Sequence, residues 1–180
     1  MRTKQLVLTA LFAALTAIGA FLKIQIPVEG IPAITLQFFF TAMAGTLLGK
    51  KYGALSQAVY VLLGLVGVPI FALGGGFSYV FQPTFGFLLG LIPSAWVIGS
   101  LARRPLTFWR SVTAMLAGLA VLYAIGVPYM ALIANAYLGK GLTFWQVLEN
   151  GMLIYLPGDM LKIAVGSALS CAVTRRIPNL

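Results

Sequence analysis

The sequence predicts an all-α integral membrane protein. Three observations carry that reading. Charged residues make up only 8% of the chain while hydrophobic residues make up 61%, whereas soluble domains run about 25% charged. So few charges cannot solvate the surface of a globular domain of this size, so most of the surface is expected to face lipid. The apolar residues fall into runs of membrane length. A spanning helix needs ~20 apolar residues, so 180 residues hold roughly six with short connections and leave no room for a separate soluble domain. The basic residues, finally, gather on alternate connections.

The runs lie near 5–22, 35–49, 53–70, 84–102, 111–137 and 152–174, read as one transmembrane domain over 1–180. The first has a basic start and small residues, like a signal peptide. With no secreted domain after it, it is expected to be the first membrane helix. The second is short for a full crossing. The fourth is bounded by "PT" and the Arg103–Arg104 pair. The fifth is long and carries "GVP" at 126–128, where proline is expected to kink it. The sixth opens with "LPGD", and Pro157 suits a first helical turn.

Charge sets the expected orientation. Arg2, Lys4, Lys50, Lys51, Arg103, Arg104, Arg110, Arg175 and Arg176 fall on one side with no acid among them. Lys23, Glu29, Lys140 and Glu149 fall on the other and cancel. Cytoplasmic loops carry the Lys/Arg excess, so both termini are expected on the cytoplasmic side. The same asymmetry explains the pI of about 10.1 without nucleic acid.

Several classes of chemistry are excluded. The single Cys171 forms no intramolecular disulfide, and with no histidine the usual metal ligands are missing. No Ser–His dyad exists, so no enzyme is expected. "GTLLGKK" at 45–51 is one residue short of a phosphate loop and has Lys51 where Ser or Thr would bind magnesium. The chain is therefore not expected to hydrolyse ATP or to hold a cofactor.

The informative motif is "LPGDMLKIAV" at 156–165. Asp159 and Lys162 are the only charges between 156 and 173, and at i and i+3 they share a helix face. Lys162 lies 13 residues before Arg175, ~20 Å along a helix, and Asp159 lies ~24 Å from it. In a core ~30 Å thick both sit in the outer third. Charges there are costly and mark substrate paths; the plainer alternative is a salt bridge that only holds structure. Above them runs "GVPIFALGGGFSYVFQP" (67–83), uncharged and largely apolar. Irregular backbone of that kind survives at membrane depth only when buried or lining a cavity, so this loop is expected to fold inward over a pocket. A Gly-rich surface turn is the alternative. The loop at 23–37, with two prolines, is read as a second lid.

Ala10, Ala13, Ala14, Ala17 and Ala20 form a stripe of small residues on the first helix. Such stripes permit close helix contact in lipid, either within the chain or with a partner subunit. "LTFW" occurs at 106–109 and 142–145. Each copy starts with a capping threonine, Thr143 with Gln146 fits a capping box, and the tryptophans fit interfacial belts.

"IPAITLQ" (31–37), "YGALSQAVYVLLGLVGVPIF" (52–71), "GGGFSYVFQPTFGFLLGLIP" (74–93) and "YLPGDMLKIAV" (155–165) together resemble the BioY family, biotin-binding S components of energy-coupling factor transporters. The resemblance covers nearly the whole chain. It implies a six-helix S-component fold with biotin as ligand near the outer surface. It also implies a transmembrane coupling protein and two ABC ATPases as partners. These would dock on the small-residue face at Ala10, Ala14 and Ala17. By the family's pattern, Asp159 and Lys162 bind the vitamin. Gln82 is the polar position before "PT", where relatives carry other residues. Gly75, Phe77, Tyr79, Phe81 and Tyr155 would shape or pack the site. A different vitamin, a solitary facilitator without the module, and a ligand-free structural subunit are the competing readings.

Overall fold

Inside a bilayer each backbone polar group needs a partner within the protein, and a helix supplies it locally. The computed structural model follows that rule and describes residues 3–24 and 33–177. The two lid prolines, Pro27 and Pro32, along with Glu29 and Arg2, lie outside the described residues.

Helix α1, Thr3–Phe21, buries Phe12, Ala13, Thr16, Gly19 and Ala20 on one face. Its threonines bond back to carbonyls one turn earlier, Thr16 to Phe12 at 2.8 Å, which satisfies a buried hydroxyl without any outside partner. After it, strand β1 (Lys23–Ile24) pairs antiparallel with β2 (Ile34–Thr35), Lys23 opposite Thr35.

Helix α2 runs Gln37–Leu65 but is broken at Gly49, where φ is 76° and ψ 177°. Only glycine holds those angles without strain, and the chain reverses there. The side chains prove the reversal. Gln37 meets Tyr60 at 2.8 Å and Thr41 meets Gln57 at 2.9 Å, while a Cβ on Gly53 would lie 2.9 Å from Gly45. Every such pair is centred near residue 49. The stretch is thus an antiparallel helical hairpin, and its two arms correspond to the expected runs at 35–49 and 53–70. The described residues are mostly helical and form six main helical arms.

Helix α3, Phe85–Leu101, and α4, Phe108–Leu132, follow. Pro128 lies inside α4 without ending it; the irregularity comes five residues later, as a π-helical turn over Ile133–Tyr137. A short α5, Phe144–Leu148, starts at Thr143 with the capping box complete through Gln146 and passes through a second π turn, Glu149–Leu153. Helix α6, Leu156–Arg176, has Asp159 in its first turn and Arg175 and Arg176 in its last, both favourable to the helix dipole.

The core sits where α3 packs between α2 and α4, with Tyr60, Phe71, Ile98, Met115 and Met130 fully buried. Three helical stretches, Thr3–Phe21, Phe108–Tyr137 and Phe144–Arg176, are long and apolar enough to cross a membrane, and α3 is apolar but shorter. The described basic residues of the Arg/Lys-rich connections collect at one end. There Tyr52 Oη donates to Gln5 at 2.7 Å, Lys50 lies over the Trp96 ring at 5.9 Å, and Thr46 and Ser170 hydroxyls meet at 2.9 Å.

Candidate functional site: an ion pair at an enclosed cavity

At the opposite end a cavity of about 180 Å³ opens between the first arm of α2, the loop after its second arm, and α3, α4 and α6. Its walls are mostly apolar, with Phe38, Phe87, Leu88, Leu91 and Leu122 among the lining residues. Asp159 and Lys162 both line it. The α-helical register of "PGDMLK" aims the two side chains to one face, as their spacing requires.

Asp159 is 5% exposed. Its Oδ1 accepts from Lys162 Nζ at 2.7 Å, and its Oδ2 accepts from the Tyr123 hydroxyl. A carboxylate offers about four lone-pair positions and an ammonium three hydrogens. The pair therefore keeps capacity for a guest that both donates and accepts. The cavity beside it gives that guest a place. A buried pair of this kind contributes little stability by itself, because desolvation offsets the attraction.

Tyr79 and Tyr155 also line the cavity. Tyr79 is held from behind by Phe71, ring centres 4.7 Å apart, and receives Thr84 Oγ1 at 3.4 Å. Gln82 and Gly75 do not line it. Gln82 is exposed beyond the short 3₁₀ turn Phe77–Phe81. Gly75 instead packs against the loop's own start, where a Cβ would come within 2.2 Å of the Val68 carbonyl oxygen. Phe77 is 73% exposed, and Phe81 stacks on Tyr137 at 5.0 Å rather than facing inward. On α1, Ala10 and Ala14 are exposed beside Val7, Leu11 and Ile18, while Ala17 is half-buried on the core and Ala13 and Ala20 are buried. The alanine stripe thus divides into an inward and an outward edge.

Among the cavity residues that escaped sequence reasoning are three polar ones, Tyr123, Gln37 and Thr35. A signal for the first existed. Tyr123 lies 13 residues after Arg110, as Lys162 lies 13 before Arg175, so both sit ~20 Å from the basic end. A tyrosine that deep, away from the interfacial belt, needs a hydrogen-bond partner.

Apolar helices that set one ion pair in the wall of a largely apolar cavity have the build of a solute-binding membrane protein. The fold has a counterpart among solved structures. The crystal structure of the S-component for biotin from an ECF-type ABC transporter superposes with a TM-score of 0.80 over 97% of this chain and 92% of that one, at 24% identity. The BioY family model matches residues 1–179, and the chain belongs to the BioY family. Among curated relatives, the probable biotin transporter BioY of Lysinibacillus sphaericus is 43% identical over 93% of this chain and 84% of its own length. The biotin transporter BioY of Thermotoga maritima is 36% identical over 93% and 94%. These relatives are transporters, not enzymes.

Proposed function

We propose that this chain binds biotin with high affinity and serves as the substrate-specific subunit for its uptake across the cytoplasmic membrane. The observation that carries the reading is the Asp159–Lys162 pair, tied to Tyr123 and set in the wall of a largely apolar cavity. Biotin presents a ureido ring with two N–H donors and a carbonyl, an apolar sulfur ring and a carboxylate tail. Asp159 accepts from a ureido N–H; Lys162 meets the ureido oxygen or the carboxylate. The aromatic and leucine walls, with Tyr79 and Tyr155, take the apolar body, in keeping with small-molecule sites that combine apolar walls with few polar anchors. Gln82 and Gly75 act on the shape of the loop rather than on the guest.

In this reading the 1–180 chain is one transmembrane domain with both termini cytoplasmic, and the cavity end faces outward. Its partners are a transmembrane coupling protein and two ABC ATPases, which meet the outward edge of α1 at Ala10 and Ala14, with Ala17 half-buried behind them. Transport then consists of capture from outside, followed by ATP-driven reorientation of the subunit by that module. Thermal stabilisation of the purified protein across a panel of vitamins tests the ligand. A ligand that binds only the folded state raises its melting temperature. Biotin alone should do so; stabilisation by another vitamin instead would reassign the substrate.

A further inference from the structure

A second polar construction touches the cavity, and it does not involve the ion pair. Gln37, at the start of α2, lines the cavity and is 9% exposed. Its Nε2 donates to the Tyr60 hydroxyl at 2.8 Å. Tyr60, fully buried, donates in turn to the Ile70 carbonyl at 3.1 Å. On the other side Gln37 Oε1 accepts from Thr35 Oγ1 at 2.9 Å, and Thr35 belongs to β2 and also lines the cavity. Ile70 belongs to the loop whose next residues, Ala72 and Leu73, form another part of the wall.

The loop has other holds as well, among them the Val68 amide on the Leu63 carbonyl at 3.2 Å. Phe71 sits edge-on to the Tyr60 ring at 5.6 Å, the Gly76 amide reaches Gly64 at 2.7 Å, and Lys23 of β1 donates to the Ala72 carbonyl at 2.7 Å. A tyrosine hydroxyl has one hydrogen to give. Because Gln37 donates to Tyr60, that hydrogen is directed to Ile70. A purely structural hydroxyl in an apolar core would more simply be a phenylalanine, since burying it has a cost that only a partner offsets.

We infer that Gln37 and Tyr60 are positioning residues that hold the loop of residues 67–76 over the cavity through the Ile70 carbonyl, and so set how long a guest stays. This rests on the proposed biotin reading for its kinetic arm only. An unlatched loop leaves the ion pair and the apolar walls that the helices supply intact, and loosens only the wall at Ala72 and Leu73, so arrival is little altered, while departure is faster. Differences between related complexes lie mostly in the off-rate.

The test uses Tyr60→Phe and Gln37→Met, which keep ring and chain length, and the double variant, in purified full-length protein. Amide exchange at Phe71 and Gly76 without ligand is the first measurement; association and dissociation rates of labelled biotin are the second. Tyr60→Phe should speed exchange at those amides and raise the off-rate about fivefold, as loss of one hydrogen bond of ~1 kcal/mol implies, with the on-rate within about threefold. Gln37→Met should act in the same direction, and the double variant should change the off-rate by less than the product of the two single effects, since both break one relay. Exchange and off-rate at wild-type values would overturn the inference. Equal loss in both rates with a large fall in melting temperature would also overturn it, as plain destabilisation. If wild-type protein bound no biotin, the functional reading would fall while exchange at Phe71 and Gly76 still decided the latch.

Discussion

Tyr123 on α4 donates its hydroxyl to Asp159 on α6, a residue 36 positions later in the chain. That bond joins two helices at the wall of the cavity and fixes which carboxylate oxygen is left for Lys162. Hydrogen bonds to charged groups contribute roughly 1.5–3 kcal/mol. Tyr123→Phe should therefore weaken biotin binding about tenfold while Phe87, edge-on to the ring at 6.4 Å, keeps its packing. Equilibrium binding on the purified variant checks this.

The ion pair has separable structural and binding effects. Lys162→Met leaves the Asp159 carboxylate without its cation in a buried place, which costs about 3–5 kcal/mol. The ligand-free melting temperature should fall. Adding Asp159→Asn removes the orphaned charge, so the double variant should recover much of that stability yet bind biotin no better than either single variant. Recovery of binding in the double variant would show that the charges serve structure alone. Differential scanning calorimetry beside ligand titration reads both effects.

The outward edge of α1 should matter to uptake and not to binding. Ala14 is exposed and is not among the residues that line the cavity. Ala14→Trp should leave the dissociation constant for biotin within about twofold, as expected for a surface change away from the site. Uptake in cells that supply a coupling module should drop severalfold. Normal uptake by the variant would remove α1 from the docking surface.

Gly49 should be intolerant of any side chain although nothing crowds it. Its φ of 76° with ψ of 177° belongs to a region held almost only by glycine, at a strain of order 1–3 kcal/mol for other residues. Gly49→Ala should lower the melting temperature by several degrees and leave biotin affinity unchanged, because the hairpin turn lies at the basic end, far from the cavity.

The sequence made the membrane helices legible for a simple reason: lipid imposes length and apolarity on every span, and those are one-dimensional properties. It also made Asp159 and Lys162 legible, because charge is rare in such runs. The Gln37–Leu65 hairpin could be anticipated from "LLGKKYG", where two lysines and flanking glycines interrupt an apolar run. The participation of Tyr123 was harder to see. Its partner is 36 residues away, and a tyrosine in an apolar helix reads like packing unless its depth is compared with that of Lys162. Gln37 and Thr35 were hidden similarly, since a glutamine at the head of a helix resembles an ordinary interfacial residue. The exposed placement of Gln82 and Phe77 was not legible either: a 3₁₀ turn decides which side of a loop faces inward, and apolarity alone does not reveal that turn.

The central claim is that a small molecule, biotin, completes the Asp159–Lys162 pair. Equilibrium binding of labelled biotin to purified wild-type, Asp159→Asn and Lys162→Met proteins tests it most directly, with folding monitored in each. The account predicts saturable binding that unlabelled biotin displaces, weakened at least about tenfold in either folded variant. Wild-type affinity in both variants, or no saturable binding to the wild-type protein, would contradict it.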